Sequence, residues 1–237
     1  MRLIVFILIL FSLKTRSQET APVIRYTNAV WFGYFSSITF KKHWSVNTDL
    51  QYRLKNWLAN PGQALVRTGL AYRLNDKVRF TIGLAHFRFY LNNIVTRGEW
   101  RPWQEVLLTN DINKVKIAHR FRSEQRFNES TKNGRPNEEY NFNWRFRYRI
   151  ELQIPVLTKN QKSISVMGGD ELLVNAGKNI RYNYFDQNRL YVGINFEQNK
   201  HLTYQIQFMK IWQQQSNGLT LDDISVIRLN VFHKINL

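Results

Sequence analysis

Between Glu139 and Leu152 the chain sorts its residues by parity. One set reads Tyr140, Phe142, Trp144, Phe146, Tyr148, Ile150 and Leu152; the other reads Glu139, Asn141, Asn143, Arg145, Arg147, Arg149 and Glu151. A period of two predicts a strand with one apolar and one polar face, whereas a helical period of 3.6 spreads both sets around the axis. Other stretches repeat the pattern less strictly. Val115, Ile117, His119 and Phe121 alternate with Lys116, Arg120, Arg122, Glu124 and Arg126. Trp44 to Leu54 alternates with Ser45, Asn47, Asp49, Gln51, Arg53 and Lys55. Leu190 to Phe196 alternates with Gln187, Arg189, Tyr191, Gly193 and Asn195, Leu202 to Phe208 with Thr203, Gln205 and Gln207, and the last strand carries Ile227, Leu229, Val231, Ile235 and Leu237 on one face.

The connections between these strands alternate in length. Tight ones are expected near Lys41-Lys42, Asn75-Asp76, Asn113-Lys114, Pro155 to Gln161 and Gln198 to Lys200. Longer polar ones are expected at Trp57 to Gly62, Asn92 to Pro102, Asn128 to Asn137, Ala176 to Phe185 and Gln213 to Asp222. Short turns on one rim and long loops on the other describe a transmembrane β-barrel. Trp57, Trp100, Trp103, Trp144 and Trp212 fall towards the long-loop rim and Trp44 near a tight turn, as aromatic girdles would. Eleven strands are counted directly, beginning at Ala29 to Phe40. The even numbers of single-chain bacterial barrels lead us to expect twelve, with Val23 to Asn28 as the additional strand, and ten as the alternative. The fold class read here is all-β, an antiparallel up-and-down transmembrane barrel.

Residues 1–17 read as a cleaved signal peptide and residues 18–237 as the barrel domain. Arg2 is followed by the apolar run Leu3 to Leu13, too short to span a bilayer as a helix, and Ser17 suits a cleavage position. After the leader no apolar run exceeds the four residues Ala29 to Phe32, which excludes helical membrane spans. Cysteine is absent, so disulfide scaffolds, thiolate metal sites, cysteine nucleophiles and lipid anchors on an N-terminal Cys are excluded. The chain has 237 residues with 34 Lys and Arg against 17 Asp and Glu; without the leader 31 basic side chains remain, a formal charge of +14. A soluble barrel or sandwich is the alternative architecture. The rows of Arg on the polar faces, rather than mixed Lys and Glu, and the weight of Tyr, Trp and Phe on the apolar faces argue against it.

Three stretches carry a family resemblance: Trp100 to Glu105 (WRPWQE), His119 to Phe127 (HRFRSEQRF) and Phe185 to Gly193 (FDQNRLYVG). They resemble the outer-membrane barrel family known as domain of unknown function 2490. The resemblance covers most of the chain after the leader. It implies a Gram-negative outer-membrane location, often in Bacteroidetes-type bacteria, and supplies no activity and no catalytic residues. Barrels of the outer membrane commonly end on an aromatic residue read by the assembly machinery; this chain ends on Leu237.

If the aromatic face of Tyr140 to Leu152 meets lipid, its partner face points into the lumen. A hairpin with Val115 to Phe127 then gathers Lys116, Arg120, Arg122, Arg126, Arg145, Arg147 and Arg149 on one interior wall, with only Glu124 and Glu151 among them. That leaves a surplus of five positive charges, and like charges opposite one another repel. Glu105, Asp111 and Glu171 share the parity on adjacent strands and lower the surplus to two. Two readings stand: a salt-bridge network that braces the barrel, or an anion-attracting passage or binding site. Arginine suits both, because its fork bonds carboxylates and phosphates in pairs.

Other chemistry finds less support. His43-Trp44-Ser45 has the two-residue spacing of a strand-borne His/Ser pair, as in a lipid acyl hydrolase, but it abuts a tight turn. His119 and Ser123 share a face about 13 Å apart, beyond hydrogen-bond reach. The five histidines are scattered, and Gly169-Asp170-Glu171 and Leu221-Asp222-Asp223 are too sparse for a cation loop. No metal, cofactor or nucleic acid is expected. Arg97, Arg101, Lys132, Arg135, Lys178 and Arg181, assigned to the long loops, would meet lipopolysaccharide phosphates. The expected partners are outer-membrane lipid, lipopolysaccharide and the barrel-assembly machinery, with the chain a monomer. The leading function is a non-enzymatic structural or small-solute, anion-permeable barrel. A lipid-hydrolysing barrel enzyme and a soluble secreted barrel binding a small ligand are the alternatives.

Overall fold

A computed structural model describes residues 22–132 and 135–237. The leader expected at residues 1–17 lies outside the described residues. Among those described, eleven strands follow one another: β1 (Val23–Lys41), β2 (Trp44–Lys55), β3 (Asn60–Arg73), β4 (Val78–Leu91), β5 (Ile94–Ile112), β6 (Val115–Lys132), β7 (Arg135–Lys159), β8 (Lys162–Ala176), β9 (Phe185–Glu197), β10 (Leu202–Gln214) and β11 (Thr220–Asn236). Each pairs antiparallel with the next, and β1 pairs with β11 to close the barrel.

The count corrects the expected twelve. Val23 to Asn28 is no separate strand, because it continues β1 without a turn and pairs residue by residue with Thr220 to Ser225. Eleven strands in up-and-down order leave the first and last running the same way, so the closing seam is parallel while the other ten pairings are antiparallel. Closure of this kind leaves no free sheet edge.

Alternation sets the wall. On β7 Tyr140, Phe142, Trp144, Phe146 and Tyr148 point outwards and are exposed, while Asn143 and Arg145 point inwards and are buried. Outward rings meet across strands: Phe127 with Phe142 at 5.1 Å and Phe121 with Tyr148 at 4.9 Å between centroids. Trp57, Trp100 and Trp144 are exposed towards one rim and Trp44 towards the other. Polar groups on the outer face pair with one another in places: Lys210 pairs with Asp223, and Asn188 donates to Asp170 at 3.0 Å. Trp103, expected in the girdle, instead points inwards and is only 4% exposed. Its indole lies across Gly69 and Gly83, where a Cβ would sit 2.7 Å from the ring, so those two glycines make the room it fills.

The turns explain a second correction. Asn92 and Asn93 both take positive φ, 49° and 64°, which is the two-residue hairpin turn that asparagine tolerates. The expected loop from Asn92 to Pro102 is therefore mostly strand: Ile94 to Pro102 belongs to β5. Pro102 sits where the β5–β6 ladder passes from the Trp100–Phe127 pair to the Trp103–Glu124 pair, so its missing N–H costs no bond there. Likewise Asn128 to Lys132 extends β6, and Pro155 falls at a register shift inside β7 rather than in a turn. Strands β5 to β7, of 19, 18 and 25 residues, are the tallest run of consecutive strands in the barrel. Residues 177–184 remain a true loop between β8 and β9.

Candidate functional site: the basic lumen

Inward positions of β5 to β9 supply a continuous ion-pair network. Its centre is Glu124 on β6, which is fully buried. Arg145 approaches Glu124 at 2.6 Å, Arg147 at 2.8 Å, Arg101 at 3.3 Å and Arg122 at 3.8 Å. Cross-strand register brings most of these groups together, for Glu124 stands opposite Arg145 and Arg122 opposite Arg147. Glu171 on β8 accepts from Arg147 at 2.7 Å and from Arg120, and Arg189 of β9 lies 3.5 Å away. Glu105 holds Arg122 at 2.5 Å and Arg120 at 3.6 Å. Glu99 receives a two-pronged fork from Arg126, at 2.9 and 3.1 Å, and Arg101 at 2.5 Å. Asp186 completes the set against Arg145 at 3.1 Å. Shared carboxylates hold neighbouring guanidinium groups that would otherwise repel.

Arg120, Arg122, Glu124, Arg126, Arg145, Arg147, Glu105 and Glu171 meet in this network. Arg149 and Glu151 stand apart as a pair at 3.6 Å, with Tyr191 donating to Glu151 at 2.8 Å. Lys116 lines the lumen without joining the network. Asp111, counted among the compensating acids, sits exposed beside the Asn113-Lys114 turn, opposite Lys116 in register and outside the network. Glu99 and Asp186 take up the compensation, and both escaped the sequence reading because each was placed in or at the edge of a loop. Arg101, assigned to a loop, is buried between Glu99 and Glu124. Arg97 lines the lumen, its guanidinium 4.0 Å above the ring of Phe89. Lys178 and Arg181 are exposed on the 177–184 loop. Of the Lys132 and Arg135 side chains nothing is described. His43 gives its Nδ1 to a contact of 2.8 Å with the Arg73 carbonyl, and His119 pairs with the Tyr148 hydroxyl at 2.9 Å. Among the described residues no group of three or more His, Asp or Glu is arranged to hold a metal ion.

The opposite wall is built differently. Arg53 on β2, Trp31 on β1 and Arg228 on β11 are register partners, so they stand side by side at one level and face inwards together. Arg53 lies 4.0 Å above the Trp31 ring and Arg189 reaches the same ring at 5.8 Å. Its polar partners here are amides: Arg53 donates to Gln51 at 2.7 Å and to Gln63 at 2.8 Å. Arg228 makes one long bond to Gln207 at 3.5 Å, and its Nε is buried without a partner. Asp49 serves Arg67 and Gln51.

Between the walls runs a cavity of about 750 Å³. It reaches from Lys77, Lys234 and Asn236 at the short-turn rim to Gln63, Asp186 and Gln213 near the other. Eighteen Lys and Arg line it against six carboxylates. Counting Glu99 and Glu124 behind the lining, the balance among the described residues is +10, against a formal +14 for residues 18–237. Outside the strands' apolar span, Arg25 donates to Asp222 at 2.7 Å, and that bond, with the charge of Asp222, raises its guanidinium above the ordinary value.

A family model described as a protein of unknown function (DUF2490) matches residues 28–222. The chain belongs to this family. The matched span of the DUF2490 chain holds every residue of the ion-pair network and ends before Arg228. No curated protein matches the chain. A solved structure of the NanC porin is similar to it, with a TM-score of 0.45 and 12% identity over 83% of this chain and 93% of that one.

Proposed function

We propose that this protein is a non-enzymatic outer-membrane barrel whose basic lumen admits small anionic solutes. One observation carries the reading: an apolar outer wall encloses a cavity that runs between the rims and keeps a surplus of ten positive charges even with the buried Glu99 and Glu124 counted. An outer wall of exposed Tyr, Phe, Trp, Leu and Ile finds its natural solvent in acyl chains. A cavity lined by cations in low-dielectric walls concentrates anions and excludes cations. The leader at residues 1–17 accounts for export, and Lys178 and Arg181 on the exposed loop suit lipopolysaccharide phosphates. The bracing and passage roles of arginine divide between the two walls: the network of β5 to β9 holds the wall, and the cations outside it set the lumen's sign.

Two measurements test this. The protein from an isolated outer-membrane fraction should migrate faster on a detergent gel unboiled than boiled, because a closed barrel resists detergent until heated. In a planar bilayer under a salt gradient, its reversal potential should favour chloride over potassium. Recovery in the soluble periplasmic fraction without a mobility shift would remove the membrane assignment. A folded barrel without conductance would remove the passage, and hydrolysis of phospholipid by the purified protein would overturn the non-enzymatic reading.

A further inference from the structure

The arginines of the two walls differ in what neutralises them. Glu124, Glu171, Glu105 and Glu99 each bind two or more guanidinium groups on the β5–β9 side. Arg53 and Arg228 are held by glutamine carbonyls and touch no carboxylate; the acid on their wall, Asp49, is bound to Arg67. A cation withdrawn from water without a counter-charge is costly. A guanidinium has five N–H donors. Arg53 spends three, on Gln51 and Gln63, and Arg228 spends one on a bond of 3.5 Å. The two arginines stand on the strands either side of Trp31, each about 5 Å away, with the Arg53 guanidinium 4.0 Å over the Trp31 ring and that of Arg228 5.5 Å over Phe35. Gln51 is itself fixed by donating to Asp49 at 2.8 Å, so the Arg53 fork is set before anything binds.

The apolar surroundings are equally specific. Trp31, Met167, Tyr191 and Met209 form one buried cluster on β1, β8, β9 and β10, and three of them, Trp31, Tyr191 and Met209, line the cavity. Unspent guanidinium donors beside an aromatic and thioether surface match a ligand with an oxyanion head and an organic body. The cavity's 750 Å³ falls in the range of small-molecule sites, roughly 300–1,000 Å³.

We propose that Arg53 and Arg228, flanking Trp31, form a binding site for a small organic anion, its carboxylate or phosphate held by the two guanidinium groups and its body against Trp31, Tyr191 and Met209. This rests on the reading of the lumen as accessible to anions and assigns that lumen a ligand class and a position.

The test uses the full chain in detergent micelles, with each variant checked by its heat-dependent gel shift. Benzoate and phenyl phosphate serve as probes in calorimetric titrations, with chloride as the background anion. Saturable binding of at least one is expected, and the better of the two tells carboxylate from phosphate. Arg53→Gln and Arg228→Gln should each weaken it about tenfold, the worth of one charge-assisted contact. Removing two charges elsewhere, by Lys41→Gln with Lys42→Gln at the exposed loop that joins β1 to β2, should leave it unchanged. Binding that survives the paired Arg53 and Arg228 substitutions, equal loss in the loop variant, or no saturable binding of either probe would overturn the site. If Arg228→Gln does not fold, Arg53→Gln alone must show the loss. Failure of the underlying reading looks different. Anion-selective conductance without saturable binding leaves the passage and removes the site. Arg53-dependent binding without conductance keeps the site and removes the passage.

Discussion

The walls built by β5–β9 and by β1–β3, β10 and β11 enclose one lumen with the same cationic side chain and hold most of its copies in opposite ways. On the first, every arginine of the network touches a carboxylate, and five acids hold seven guanidinium groups across five strands. On the second, Gln51, Gln63, Gln205, Gln207 and Asn230 take the inward positions that acids occupy opposite. Fixed counter-charges brace a wall, because removing one exposes several buried cations at once. Amides solvate a cation and leave its field in the lumen, where a mobile anion can answer it. In the proposed function brace and attraction therefore fall to separate strands of one barrel.

Substitutions can break this contrast in order of size. Glu124→Gln strands Arg145, Arg147, Arg101 and Arg122 around a neutral amide and should destabilise the barrel by about 3–5 kcal/mol. Denaturant titrations of the micelle-folded protein, and a lower temperature for the gel shift, would register it. Asp49→Asn, on the amide wall, releases Arg67 alone among the ion-paired cations and should cost about 1–3 kcal/mol. Arg53→Gln leaves no carboxylate behind, so its stability should change by less than about 1 kcal/mol in either direction, while the reversal potential moves towards zero. Arg25→Gln breaks a pair exposed at the rim and should shift stability by no more than about 0.5 kcal/mol, an effect that salt abolishes. If Arg53→Gln destabilised the barrel as much as Glu124→Gln, the distinction between the walls would collapse.

The faces were legible in the sequence; the neighbours were not. Parity alone sorted Tyr140 to Leu152 into outward rings and inward arginines, since a strand has no other way to place them. Arg53, Asp49 and Arg189 were on the inward parity too, yet nothing local tells that Arg53 shares a level with Arg228, 175 positions away. Register is a property of pairing, and pairing is invisible to a single strand. Glu99 and Arg101 were missed for another reason. Gly98 and Pro102 read as loop punctuation, although Glu99, Arg101, Trp103 and Glu105 keep period two through them. Trp103 shows the limit of reading aromatics as girdle: its parity turns it inwards, and the glycines of β3 and β4 make the room it fills. The even-number rule misled the count, because the continuity of Val23 to Asn28 with β1 outweighs a regularity of other barrels.

The parallel seam also orders assembly in time. Ten pairings join strands that follow one another and can form as hairpins while the chain is still open. The eleventh joins segments far apart, as the Arg25–Asp222 pair across 197 positions illustrates. Its closure entropy is the largest and is met last. Until then β1 and β11 are bare edges, each able to recruit a foreign strand. The Arg53–Trp31–Arg228 row crosses that seam, so the proposed site is assembled only with the final step of closure.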